Sequence, residues 1–164
     1  MAGAALSLRI RKATEADADL IAGVLRRAFD EFESFYTKKG FAATVLNPEA
    51  VDRRMHEGPV WIVASEGRVV ATAAALLTGH GVYVRGMAAL PSARGLGIGR
   101  RLLEEVESFA LASEASRLFL STTPFLTQAI RLYRRCGFLR TAEGPHDLFG
   151  TPLFTMQKRL ISSA

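Results

Sequence analysis

Apolar and polar positions alternate or recur at helical spacing along most of this chain, and the pattern divides it into strands and helices. Leu8-Arg9-Ile10-Arg11 alternates apolar with charged residues and predicts a first strand with one buried face. Thr14 is placed to cap a helix, with Asp17 three residues on in the capping-box position. Asp17 and Asp19 suit the positive end of that helix and Arg26 and Arg27 its negative end. Leu20, Ile21, Val24, Leu25 and Ala28 are its expected buried stripe. Asn47-Pro48 marks a second helix start, since proline is tolerated at the first helical position, and that helix should end near Gly58.

Val60 to Ser65 and Val69 to Leu77 are apolar runs split by Glu66-Gly67-Arg68, the signature of a hairpin. Gly79-His80-Gly81 makes the next turn, and Val82 to Leu90 is the central strand. Strict alternation puts Tyr83, Arg85, Met87 and Ala89 on one face, with Val82, Val84, Ala88 and Leu90 on the other. Pro91 stops the strand. A helix from near Ile98 buries Ile98, Leu102, Val106, Phe109 and Ala110. Arg117 to Thr122 is a strand. Thr127 to Cys136 is a helix with Ala129, Ile130, Leu132, Tyr133 and Cys136 inward and Gln128, Arg131, Arg134 and Arg135 outward, ended by Gly137. Phe138 to Ala142 and Leu153 to Arg159 complete the set as two strands around the segment 145–152.

Residues 29–46 break this order. They lose the periodicity yet keep five aromatics and three carboxylates, so they read as an irregular segment.

At 164 residues, 49% of them apolar, the chain supports one well-buried core and is short for two ordinary domains, so residues 1–164 are expected to form a single domain. No stretch approaches the 18 or more apolar residues of a membrane span, and no membrane partner is expected. The opening MAGAALSLRIRK lacks a basic n-region, and its apolar run stops at Arg9, so no secretory leader is expected. One cysteine permits no intrachain disulfide and suits a reducing, cytoplasmic setting. A net charge of +5, carried largely by arginine, fits either a solvated basic surface or attraction to an anionic ligand. Without a lysine-rich tail or aromatic-basic interleaving, nucleic acid is not the expected partner.

Candidate chemistry concentrates in Val82 to Leu103, VYVRGMAALPSARGLGIGRRLL. A strand, a proline, a loop with Arg94, Gly95, Leu96, Gly97 and Gly99, and a helix start at Ile98 together make an anion site. Glycines let a phosphate approach the backbone, and the free N–H groups of a first helical turn point toward it. Arg94, Arg100 and Arg101 add positive charge. The dinucleotide fingerprint does not fit, because the glycines run Gly95, Gly97, Gly99 and the next strand lacks a carboxylate. The P-loop does not fit either, since Arg100-Arg101 stands where Lys-Ser/Thr is required.

Arg94, Gly97 and Gly99 behind Pro91 do match the pattern Arg/Gln-x-x-Gly-x-Gly/Ala. About 30 residues on, Ala129, Leu132, Tyr133, Gly137 and Phe138 match a second one, Ala-x-x-Leu-Tyr followed by Gly-Phe. Together they resemble the Gcn5-related N-acetyltransferase (GNAT) superfamily, closely over about residues 60 to 160 and more loosely before that. The resemblance implies an α/β fold: a mixed, mostly antiparallel twisted sheet of six or seven strands flanked by about four helices. It implies acetyl-CoA as cofactor, with the pyrophosphate on the amides of Arg94 to Gly99, Arg100 in the same cofactor site, and the pantetheine arm along Met87, Ala88 and Ala89, where the Ala89 amide is the oxyanion donor. Thr122 and Ala129 join that cofactor site. Tyr133 is implied as the acid that protonates the departing thiolate; an unperturbed phenol, with a pKa of about 10, holds its proton at neutral pH.

The implied reaction is direct acetyl transfer to a primary amine on a small molecule, and members are often homodimers. Phe32, Phe35, Tyr36, Tyr83 and Arg85 are candidates to wall the acceptor site, with simple packing under a loop as the equal alternative for the first three. The carboxylates of residues 29–36 tilt the acceptor toward a small cationic or amino-acid-like amine rather than a protein amine. No base is evident where some members carry one. Glu31, Glu33, His80 and His146 are candidates acting through water, or the amine arrives neutral. No metal site is expected, because His56, His80 and His146 are scattered and Cys136 lies on an inward helix face. A non-catalytic acyl-CoA-binding module is the main rival, and a phosphate or nucleic-acid binder the third.

Overall fold

The structure is a computed structural model and describes residues 7–161. The leader expectation falls on residues 1–6, outside the described residues. The strands are β1 (Leu8–Lys12), β2 (Val60–Ser65), β3 (Arg68–Thr78), β4 (Gly81–Ala89), β5 (Arg117–Thr122), β6 (Leu139–Arg140), β7 (His146–Leu148) and β8 (Thr151–Arg159). They form one sheet in the order β1-β2-β3-β4-β5-β8-β6, with β7 paired to β8. Every described pairing is antiparallel except β4 with β5, which are joined by a helical crossover. The helices are α1 (Ala18–Phe29), α2 (Lys38–Thr44), α3 (Pro48–Glu57), α4 (Ile98–Ala112) and α5 (Thr127–Arg135).

β3 carries the core because its small residues let helices approach on both sides. Ala71, Thr72, Ala73, Ala74 and Ala75 are all buried, and α1 and α4 both pack on β3 and β4. Trp61, opposite Ala73 in the ladder, meets Phe109 of α4 with ring centroids 5.9 Å apart, which identifies the α4 face. The other face belongs to α1, against which α3 leans.

The fold class is the one expected, and the element counts run slightly higher because of two short pieces. α2 is held by Thr37, whose hydroxyl accepts from Gly40 N–H at 3.0 Å. β7 lies within the segment 145–152 between the two expected strands and forms a hairpin with β8. Three local expectations need correction. Leu20 is 54% exposed, and Ala22 takes its place in the buried stripe of α1. Cys136 caps α5 instead of belonging to it. Only Leu139–Arg140 of the stretch 138–142 pairs as a strand, because Phe138 turns into the core as the chain leaves the helix.

A fourth correction bears on the site. Arg85 pairs with Ala74 and Ala88 with Thr72, so Ala73 alone faces two residues of β4, Gly86 and Met87. This is a β-bulge, with Gly86 at φ +59°. Cross-strand partners share a face, and the extra residue reverses the alternation beyond it. Tyr83 and Arg85 therefore share the α1 face with Ala88, and Val84 shares the α4 face with Ala89.

Candidate active site

β4 and β5 pair only at Val82 with Leu118 and Tyr83 with Phe119, and then separate. Beyond Tyr83 the β5-facing edge of β4 has no ladder partner. Leu90 N–H donates to Val70 O at 2.8 Å, toward β3. Backbone donors alternate along a strand, so the Ala89 N–H points to the opposite, open edge. The splay opens a cleft of about 1090 Å³, bounded by β4, the glycine loop, α5 and the aromatic segment after α1.

The glycine loop closes one end. Gly95 and Gly97 have φ of +81° and +76°, conformations that side chains rarely adopt, and a Cβ at either would meet nothing within 4 Å. Gly97 is the N-cap of α4, and the helix's first intrahelical bond is Arg101 N–H to Gly97 O at 3.2 Å. The N–H groups of Ile98, Gly99 and Arg100 are thus left without helical acceptors, beside open space. Gly99 serves packing instead: a Cβ there would lie 2.5 Å from Leu132 Cδ2 and 3.2 Å from Met87 Cε. Its hydrogen lets α5 and β4 close against the start of α4.

α5 forms one wall through Ala129, Leu132, Tyr133 and Cys136, which recur at helical spacing. Tyr133 is 8% exposed and packs on Phe138 at 5.8 Å. Burial pushes its phenol pKa up, with the neighbouring Tyr36 and Tyr83 adding to the effect, so it holds its proton firmly. Thr122 and Thr123 at the end of β5 also line the cleft, with the Thr123 hydroxyl beside the Tyr36 phenol.

The far half is aromatic and cationic. Phe29, Phe32 and Tyr36 line it, braced from behind by Phe125, whose ring meets Tyr36 edge-on at 4.9 Å and Phe32 at 6.2 Å. Burial raises the Tyr36 pKa, against the opposing effect of the Thr123 and Thr44 hydroxyls. Tyr83 and Arg85 enter from β4, and Arg54 enters from α3 with Nη1 against Gly86. Arg85 Nη2 donates to Glu57 Oε2 at 3.1 Å.

Of the residues singled out in the sequence, Phe32, Tyr36, Tyr83, Arg85, Met87, Ala88, Ala89, Arg94, Gly95, Gly97, Ile98, Gly99, Arg100, Thr122, Ala129 and Tyr133 come together here. Phe35 and Leu96 do not line the cleft. Phe35 is 61% exposed and stacks on Phe125 from outside, and Leu96 is 44% exposed at the tip of the loop. The candidate bases are elsewhere. Glu31 pairs with Arg94, Glu33 with Arg26, the His80 amide donates to Thr78, and the His146 ring bonds the Thr155 hydroxyl at 2.9 Å. The lining holds six arginines, at 54, 85, 94, 100, 131 and 135, and no carboxylate or histidine. Among the described residues no group of His, Cys, Asp and Glu side chains gathers as metal ligands.

One feature escaped the sequence reading: Arg54 sits in a polar run beside Arg53 with nothing to distinguish the two. The available signal was Gly86, since an isolated glycine within a strand marks a bulge or a close approach.

The family model described as acetyltransferase (GNAT) family matches residues 22–138. The chain is 38% identical over 91 residues to an IAA acetyltransferase from Azospirillum brasilense, a match spanning 54% of this chain and 58% of that relative. It is 32% identical over 137 residues to the uncharacterized N-acetyltransferase YjgM of Escherichia coli (strain K12), covering 79% of this chain and 80% of the other. The crystal structure of PaiA N-acetyltransferase from Thermoplasma acidophilum in complex with coenzyme A superposes with a TM-score of 0.80 over 94% of this chain and 100% of that one, at 15% identity. At that identity the likeness concerns the fold.

Proposed function

Because the chain belongs to the acetyltransferase (GNAT) family, we propose that its cleft transfers an acetyl group from acetyl-CoA directly to a primary amine held in the same cleft. The observation that carries this reading is the continuity of three features. Free amides at the start of α4 open onto the unpaired edge of β4, and the protonated phenol of Tyr133 stands on the facing wall.

The cleft suits the cofactor. The open space at Gly95 and Gly97 accepts a pyrophosphate where side chains would exclude it, and the amides of Ile98, Gly99 and Arg100 supply donors. Arg100 and Arg131 add charge at the rim, whereas the Arg94 guanidinium is engaged with Glu31 and Ala28 O. The free edge along Met87, Ala88 and Ala89 offers an extended chain the hydrogen bonds of an added strand. When bound, acetyl-CoA supplies a thioester whose acyl carbon bonds to the amine nitrogen as the C–S bond breaks. The Ala89 N–H supports the carbonyl oxygen as negative charge gathers there. Tyr133 gives its proton to the departing sulfur, and the proton lost by the amine goes to water.

A dedicated base is unnecessary in such a site. Six arginines without a carboxylate or histidine make the cleft cationic, and a positive surrounding favours the neutral amine over the ammonium ion. The carboxylates at 30, 31 and 33 lie outside the lining, so they do not select a cationic acceptor. Small-molecule amines are the proposed acceptors, the chain is proposed to act as a single domain in the cytoplasm, and a homodimer is proposed from the family's habit.

The test is thiol release from acetyl-CoA across a panel of amines and peptides, by wild type and Tyr133→Phe. Turnover that the variant loses while still binding coenzyme A supports the reading. Tight cofactor binding with no turnover on any amine would favour the non-catalytic module.

A further inference from the structure

On the reading that this cleft is an amine acetyltransferase site, we infer that the acceptor also carries a carboxylate, gripped by Arg54 and Arg85, on an apolar or aromatic body: the amino-acid class of amine. The argument begins with charge. Arg85 has one carboxylate partner, Glu57, at 3.1 Å, and its buried Nε has no hydrogen-bond partner. Arg54 forms no ion pair among the described residues, although its side chain is half-buried. Two guanidinium groups against one carboxylate leave one positive charge uncompensated at this end of the cleft. The remaining ionisable neighbour, Tyr83, is a phenol and does not cancel it.

Such an arrangement is costly without a ligand. Burial and the charge of Arg85 pull the Arg54 pKa down to about 10, against the opposing charge of Glu57. Guanidinium forks match a carboxylate in a bidentate way, and pairing an orphan buried donor recovers its desolvation cost. One residual positive charge matches one carboxylate and falls short of a phosphate monoester, which carries nearly two negative charges.

The geometry orients the rest of the molecule. Arg85 shares the α1 face of β4 with Ala88, and the bulge at Gly86 lets Arg54 reach the strand. Phe29, Phe32, Tyr36 and Tyr83 then surround the body of the acceptor. A cationic polyamine has no carboxylate in this lining to meet.

The experiment uses matched triplets: phenylalanine, tryptophan, leucine and methionine, each as free acid, amide and decarboxylated amine, with thiol release followed in wild type, Arg54→Met, Arg54→Lys and Arg85→Gln. Wild type should favour at least one acid over its amide and amine by roughly 30-fold or more in kcat/KM, the scale of a charged hydrogen-bonded pair. Arg54→Met and Arg85→Gln should reduce that preference to about threefold or less through KM, and Arg54→Lys should restore part of it. Coenzyme A affinity by calorimetry, unchanged within about twofold, shows that the variants are folded. Equal use of acids, amides and amines by wild type overturns the inference, as does a preference that survives both charge-removing variants or acetylation of the amides or amines with none of the acids. Failure of the enzymatic reading itself looks different, because no acid, amide or amine of any kind would release thiol, whether or not acetyl-CoA binds.

Discussion

The guanidinium of Arg94, in the glycine loop, is ion-paired with Glu31 and also donates from Nη2 to the Ala28 carbonyl oxygen at 3.0 Å. One side chain thus ties the loop to the last turn of α1 and the 3-10 turn Asp30–Phe35 that follows. The pair is partly exposed, so its Coulomb contribution is modest, and its effect is to hold the loop beside the cleft. Glu31→Gln should cost less than about 1 kcal/mol in thermal unfolding and leave kcat within about threefold of wild type. A fall of about 100-fold in kcat would instead identify Glu31 as the base and contradict the assignment of its carboxylate to Arg94.

Tyr133→Phe removes a proton donor from a wall already packed on Phe138, so the fold should persist. Turnover should fall by roughly 100-fold or more, the usual contribution of general acid catalysis, with coenzyme A affinity retained. The pH profile gives a second check. Because burial raises the phenol pKa, its protonated, competent form should persist through pH 10, and wild-type kcat should show no alkaline decline below about that pH.

Asp17 offers a prediction on stability. Its buried carboxylate accepts Arg11 Nη1 and Nη2 at 2.8 and 2.9 Å and the Thr14 N–H at 2.8 Å. The Arg11 hydrogen bonds, opposed by burial and aided by the Thr14 amide, lower its pKa from 3.8 to about 2. A depressed folded-state pKa gives stability that is full above the unfolded value near 3.8 and is lost as pH falls toward 2. The shift corresponds to about 2 kcal/mol. Urea unfolding from pH 6 to pH 2 should show this loss in wild type and a shallower acid decline in Asp17→Asn; identical slopes would contradict the pairing.

The regular elements were legible because their signals were local. The runs Val60–Ser65 and Arg117–Thr122 appear as the strands read from the sequence, since turns bound them and apolar residues fill them. The glycine loop was equally plain, and the family resemblance was visible in two short motifs. What escaped depends on approach through space. α2 has only seven residues, two of them lysine and one a glycine buried against Thr151, so its stability comes from docking rather than periodicity. The bulge at Gly86 reversed the faces of β4, which strict alternation cannot foresee. Gly99 reads as a phosphate glycine in the motif, yet its missing side chain makes room for Leu132. Arg54 became a site residue only because its side chain reaches from α3 to Gly86 of β4.

The central claim is that the loop at the start of α4 binds acetyl-CoA. Gly97 carries the decisive test, because a Cβ there clashes with nothing in the protein and the positive φ costs only about 1 kcal/mol or somewhat more in backbone strain. Calorimetric titration of acetyl-CoA and free coenzyme A into wild type and Gly97→Glu separates folding from binding. The account predicts saturable binding of both by wild type and a loss of roughly 100-fold or more in the variant, whose carboxylate would occupy the anion site, with thermal unfolding still cooperative. Equal affinity in the two proteins, or no binding by wild type, would contradict it.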